Sequence, residues 1–211
     1  MVYLIQLRLY HIVLRKNKSK LNNNLKRRVI PQLPKNMNEK QFPKRKNIRL
    51  QNYDYSQNGC YFITICVKDK RQLLGHYRSK ENLVGAGLCA CPRDLIVLTP
   101  LGREVEKAID YIHTHYDAFD VENAIVMPNH IHLLITIDNI EARYTGRHGD
   151  LPLQDVIRNF KSYTTKKYWE LTGEKGNTLW QGRYIDHIIR NQSDFEYHWN
   201  YIEYNALKEY K

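Results

Sequence analysis

Met127-Pro128-Asn129-His130-Ile131-His132-Leu133-Leu134 is the stretch on which the fold turns. It lies inside an alternating run that begins at Ile125-Val126 and closes at Ile135. Side chains along a strand point to its two faces in turn, so His130 and His132 project together while Ile131 enters the opposite layer. Two neutral imidazoles placed side by side can share one divalent cation. An ordinary exposed strand face is the plain alternative, so a metal site needs a third ligand and some chemistry to serve.

Working outward, Phe119 to Val126 reads as a strand that the short Pro128-Asn129 link turns into the histidine strand, 130–137. Upstream, Thr99-Pro100-Leu101-Gly102 opens a helix: Thr99 suits the N-cap and Pro100 the first turn. Apolar residues then recur at Leu101, Val105, Ala108, Ile109 and Ile112. Gly59 to Val67 predicts a largely buried strand, and residues 82–98 a Gly-containing loop followed by a short strand, Leu95 to Leu98. Downstream, a loop with Gly146 and Gly149 leads to a helix over Leu153–Leu171, with Val156, Phe160, Tyr163, Lys167 and Leu171 at helical spacing. Ser193-Asp194-Phe195-Glu196 begins a final helix. The order strand–strand–helix–strand–strand–helix–helix predicts an α+β domain, a small antiparallel sheet with helices packed on one face.

The formal net charge of +11 over 211 residues is unevenly spread. Fourteen of the 33 Lys and Arg fall in the first fifty residues, against a single acid, Glu39. Residues 1–45 are rich in Lys, Arg, Asn and Pro and poor in periodic apolar content, so they predict a disordered or loosely docked basic arm, with a short helix near 2–15 as its one structured option. The domain proper is 46–211. Such an arm points to a polyanionic partner, nucleic acid being the commonest, with a merely solubilising tail as the alternative. Cys60 and Cys66 sit in a strand-like segment, and Cys89 and Cys91 flank Ala90. No second pair has zinc-finger spacing, so these read as reduced, packed thiols of a cytosolic protein. Neither a secretory leader nor a membrane-spanning stretch is expected.

The last helix carries Tyr201 and Asn205, four residues apart and therefore on one face. If that face packs over the histidine strand, Asn205 offers an amide oxygen as third ligand and Tyr201 a phenol beside the cation. A free phenol, with a pKa near ~10, is a poor nucleophile at neutral pH. A cation that neutralises the non-bridging oxygens of a phosphodiester makes the phosphorus easier to attack. The attack leaves a phosphotyrosine linkage and a free hydroxyl, and another hydroxyl can reverse it. Periodicity alone leaves the tyrosine open: the chain has sixteen, and Tyr163, Tyr197 and Tyr204 also sit on expected helices near basic groups.

Several blocks, in order, carry a wider likeness. They are Ile48-Arg49-Leu50, Tyr53-Asp54-Tyr55-Ser56 before Tyr61-Phe62-Ile63-Thr64-Ile65-Cys66, and Val126-Met127-Pro128-Asn129-His130-Ile131-His132. Phe160-Lys161-Ser162, Leu179-Trp180-Gln181, Asp186-His187-Ile188-Ile189-Arg190-Asn191 and Tyr201-Ile202-Glu203-Tyr204-Asn205 follow. Over about residues 45–208 the chain resembles the REP-associated tyrosine transposases, a branch of the single-tyrosine HUH transposases. The resemblance implies a ferredoxin-like fold of the HUH endonuclease type. It also implies His130 and His132 as metal ligands, Asn205 completing the site, and Tyr201 as nucleophile. The implied ion is Mg²⁺ or Mn²⁺, imidazole ligands leaning toward Mn²⁺ and availability favouring Mg²⁺. The implied substrate is single-stranded DNA carrying a hairpin, cut and rejoined at a specific site. Two departures stand out. Asn205 precedes Ala206 where the family has proline, and the chain stops at Lys211 where relatives continue.

Further candidates for DNA contact are Trp180 and Gln181, by stacking and base-edge reading, and Arg183 and Arg190 toward phosphate. Core anchoring competes for Trp180, salt bridges for the arginines. Arg158, Lys161, Lys166 and Lys167 form a basic helix face suited to a DNA backbone. His187 and His198 are candidates to support the site, His198 from one turn before Tyr201. The expectation is thus a nucleoid-associated, cytoplasmic DNA nickase and strand transferase, monomeric or homodimeric. The competing reading is a domesticated relative that binds hairpins without cutting them.

Overall fold

Tyr61, Ile63 and Ile65 alternate with Phe62, Thr64 and Cys66 along β1, Gly59–Cys66, and this alternation divides the molecule into two layers. The computed structural model describes residues 57–78, 92–139 and 151–209. The expected arm over 1–45, the Tyr53–Ser56 block, Cys89, Cys91 and the loop with Gly146 and Gly149 lie outside them. The described elements, in order, are β1, a 3₁₀ turn at Lys68–Lys70, β2 (Gly75–Tyr77), a second 3₁₀ turn at Pro92–Leu95 and β3 (Ile96–Leu98). Then come α1 (Pro100–His115), β4 (Phe119–Met127), β5 (His130–Ile137), α2 (Leu153–Thr172), β6 (Ile185–Ile189) and α3 (Gln192–Glu209).

The main sheet has the order β4-β5-β1-β6, every neighbouring pair antiparallel, while β2 and β3 form a separate ribbon. Leaving that ribbon aside, β1-α1-β4-β5-α2-β6 is the β-α-β-β-α-β split arrangement of the ferredoxin-like fold. The expected α+β class is therefore borne out. On one face, Tyr61, Ile63, Ile65, Ile131, Leu133 and Ile135 pack against the apolar stripes of α1 and α2. The helix α3 crosses the other face, where Phe62 meets His198 and Tyr201. Helices thus cover one face as expected for α1 and α2, and the third covers the polar face that carries His132. Placing α3 there gives Phe62 and the imidazoles a partner layer, which α1 and α2 leave to it.

Local signals set the element ends. The Thr99 hydroxyl accepts the Gly102 N–H at 3.0 Å and donates to Leu73 O at 2.7 Å, capping α1 where the sequence places the cap. Gly173, at φ 75°, closes α2 in the left-handed conformation. In α2 the buried stripe is Leu153, Val156, Ile157, Phe160, Thr164 and Tyr168. Tyr163 and Leu171, expected inward, are exposed. Trp180 explains the shift: it packs on Phe160 and donates its indole N–H to Thr164 at 2.8 Å, fixing which side of α2 faces in.

The hairpin joining β4 to β5 is pinned from outside. Val67 N–H donates to Asn129 O at 2.8 Å and Leu74 N–H to Pro128 O at 3.0 Å. A bulge between Val121 and Asn123 inserts Glu122 and re-aims the strand, so Asn123 points toward α3. No helix among the described residues is long and apolar enough to cross a membrane.

Candidate functional site

His130 and His132 present their rings from the same face of β5, with the two Nε2 atoms 3.0 Å apart. The other ring nitrogen of each is already engaged. His130 Nδ1 lies 2.6 Å from Asn129 Oδ1, and His132 Nδ1 lies 2.9 Å from Thr64 Oγ1. An amide oxygen only accepts, so His130 carries its proton on Nδ1 and turns an Nε2 lone pair toward His132. Thr64 reaches His132 because it is the cross-strand partner of that residue in the β1–β5 register. Burial, then the neighbouring His130 and His198, hold the His132 imidazole well below its ordinary range. His132 is therefore neutral at physiological pH, as a ligand must be.

Two metal–nitrogen bonds of about 2.1 Å at a right angle would put their nitrogens about 3.0 Å apart, the arrangement adjacent positions of an octahedral ion require. The observed spacing fits an ion of that kind. Asn205 is 1 % exposed, and its Nδ2 has no hydrogen-bond partner among the described residues. A buried amide left unpaired at one end costs about 1–3 kcal/mol. Turned over, the same amide directs its oxygen where the unpaired nitrogen now lies, one helical turn beyond Tyr201 on α3.

The Tyr201 ring stands edge-on to His132 at 5.2 Å between centroids, and edge-on to Phe62 at 5.8 Å. Phe62 in turn stacks on His132 at 5.1 Å and meets His198 at 4.5 Å. One chain therefore brings Tyr201 and the histidine pair to a single sheet face. A polar knot docks the helix there. Arg93 bonds Asn123 and, at 2.8 Å, Glu203, while Asn123 donates to Glu203 at 3.0 Å and to Trp199 O at 3.5 Å. Sequence reasoning missed Thr64, Arg93, Asn123, Asn129 and Glu203 as supports. Only Asn129, adjacent to His130 in the quoted motif, carried a signal that could have found it.

The remaining candidates separate. His187 and His198 meet at Asp194: His187 Nε2 lies 2.9 and 3.0 Å from its two carboxylate oxygens, and His198 Nδ1 lies 2.8 Å from its main-chain oxygen. Burial depresses the His198 imidazole below its ordinary range. Trp180 is 3 % exposed with its N–H engaged, so its indole is a core anchor and has no free face for a base. Gln181 donates its main-chain N–H to Cys66 O at 2.9 Å, continuing the β1 edge. Lys161 caps the following turn, donating to Gln181 O at 2.6 Å and Gly182 O at 3.1 Å. Arg158 pairs with Asp155, and Lys167 with Glu170. Lys166, Arg183 and Arg190 are exposed. Because α2 packs on the face opposite the histidines, its basic residues do not share a face with Tyr201.

No family model matches the chain. A Haemophilus influenzae protein named "Putative REP-associated tyrosine transposase" is 28% identical over 167 residues, covering 75% of this chain and 77% of its own length. The Escherichia coli K12 protein named REP-associated tyrosine transposase is 26% identical over 90 residues, 43% of this chain and 46% of its own. Among solved structures, a REP-associated tyrosine transposase bound to a REP hairpin aligns with a TM-score of 0.45 at 20% identity, covering 77% of this chain and 74% of that one. The named relatives bear out the resemblance drawn from the sequence blocks.

Proposed function

We propose that this chain, a relative of the REP-associated tyrosine transposases, is a metal-dependent endonuclease and strand transferase that acts on single-stranded DNA beside a hairpin. The observation that supports this reading is the convergence of a tyrosine ring and two facing imidazole nitrogens within one chain. A divalent cation, Mg²⁺ or Mn²⁺, held by His130, His132 and Asn205, would neutralise the non-bridging oxygens of the scissile phosphodiester.

The chain's own residues account for the rest. Asn129 and Thr64 hold the two imidazoles in one orientation, so no reorganisation is needed when the phosphate arrives. Phe62 walls the space between Tyr201 and His132, which positions the phenol and limits its swing. The phenolic oxygen of Tyr201 forms a bond to phosphorus as the bond from phosphorus to the departing strand breaks. The departing oxygen takes a proton and leaves as a free hydroxyl. Reversal by an incoming hydroxyl restores the phenol and rejoins the strand, so no external energy source is required.

All the proposed catalytic groups belong to one chain, and the reading takes the monomer as its acting unit. Arg183 and Arg190 are the exposed cations nearest in sequence to the β6–α3 junction, and they are proposed to hold phosphates of the bound strand. The basic segment 1–45 is proposed to add sequence-independent attraction to the same polyanion, consistent with a protein of the nucleoid and cytoplasm. Incubation of the purified protein with a labelled hairpin oligonucleotide and Mn²⁺ tests the reading. A denaturant-resistant protein–DNA adduct that disappears in Tyr201→Phe supports it. Hairpin binding with no adduct would instead establish a binder that does not cut.

A further inference from the structure

On the other side of Phe62 from the histidine pair, β6 and the first turns of α3 assemble a second set of ligand-type side chains. His187, Asp194 and His198 each offer a donor atom, and these atoms all lie within 4.8 Å of one another. We propose that they form a second divalent transition-metal site, separate from the one assigned to His130 and His132.

Three observations carry this. Asp194 and His198 are four residues apart on α3 and so share a helix face. His187 is the cross-strand partner of Phe62, which places it on the sheet face that α3 covers. The three therefore come from two elements that the fold holds independently of any ion. Next, the distances suit a coordination shell. His187 Nε2 lies 2.9 Å from Asp194 Oδ2, and His198 Nδ1 lies 3.2 Å from Asp194 Oδ1. Ligands bound at about 2.0–2.2 Å stand about that far from each other. Finally, the two imidazoles stack at 4.7 Å and both turn a ring nitrogen toward Asp194, His198 Nδ1 lying 2.8 Å from its main-chain oxygen and 3.2 Å from its carboxylate. A cation between them would replace the protons now directed at Asp194, each ring keeping its proton on the nitrogen turned away.

Two nitrogens and one carboxylate favour zinc or another late first-row ion over Mg²⁺ or Ca²⁺. The site is open on one side: the His187 side chain is 44% exposed, while that of His198 is 12% exposed and forms the floor. Solvent can complete the shell and the ion can enter. Asp194 is also fixed from behind, accepting the Arg190 N–H at 3.1 Å and donating its own N–H to Asn191 at 2.9 Å. An ion here would tie the edge strand β6 to the helix that carries Tyr201, and its binding energy would appear as folding energy.

The test uses the full-length His130→Ala/His132→Ala protein, stripped of metal and titrated with Zn²⁺ by calorimetry and with Co²⁺ by visible absorption. One saturable equivalent is expected, with a higher thermal midpoint in Zn²⁺. Both are lost when His187→Gln and His198→Gln are added. Asp194→Asn, which retains an oxygen able to accept the Arg190 N–H, serves as the milder variant, with weaker Zn²⁺ uptake at an unchanged circular dichroism spectrum. Absence of saturable uptake in the starting protein would overturn the proposal. So would uptake that survives these substitutions, because the cluster would then be only a hydrogen-bonded cap on α3.

Discussion

Asn129 and Thr64 do for the imidazoles what packing alone does not: each takes one ring nitrogen and leaves the other directed inward. Such supports are worth about 10–100-fold in metal affinity. Thr64→Val, close in shape but without the hydroxyl, is therefore expected to weaken Mn²⁺ binding by about that range. Asn129→Ala should behave alike at His130. Titration of the metal-free protein followed by Mn²⁺ electron paramagnetic resonance reads this directly. Unchanged affinity in both variants would mean that the hydrogen bonds do not orient the pair. At the same scale Cys60 is excluded from chemistry, since burial pushes its thiol up to about 12 and leaves no thiolate.

Element packing makes a separate demand at Gly102. A Cβ there would stand 1.9 Å from Leu74 O, a main-chain atom that already accepts the Thr99 N–H. Leu74 in turn holds Pro128 in the hairpin that carries His130. Gly102→Ala is expected to cost at least about 1–3 kcal/mol, because backbone must move to admit the methyl group. A thermal midpoint several degrees lower would register it, and an unchanged midpoint would contradict the packing described. The strands β1, β4 and β5 and the helix α1 were legible in the sequence because alternation, helical spacing and the Thr99 cap all agreed there. By contrast β6 was not: it has five residues, and Asp186 and His187 interrupt its apolar pattern at an edge of the sheet. The seat of α3 over the histidine strand was read only as a condition, from Tyr201 and Asn205 sharing one face. Its buried positions mix Phe195, Ile202 and Ala206 with Asn205, so no plain apolar stripe announces which face it covers. Asn123 escaped notice because its direction depends on the bulge at Glu122, a feature of strand pairing rather than composition.

At the scale of the whole molecule, the proposed functional unit follows from topology. The β-α-β-β-α-β path puts β5 and β1 at the centre of the sheet, and α3 returns across them within the same chain. Mixing Tyr201→Phe with His130→Ala/His132→Ala protein should therefore leave adduct formation absent, since each chain lacks half of its own site. Restored adduct in the mixture would require exchange of the helix between chains. The central claim, that the phenol of Tyr201 and the facing imidazoles act on one phosphorus atom, is tested most directly by proteolysis and mass spectrometry of the protein after reaction with a hairpin substrate in Mn²⁺. The account predicts a nucleotide linked to the peptide containing Tyr201, at that ring oxygen and at no other tyrosine. A nucleotide found on another tyrosine, with Tyr201 unmodified, would contradict it.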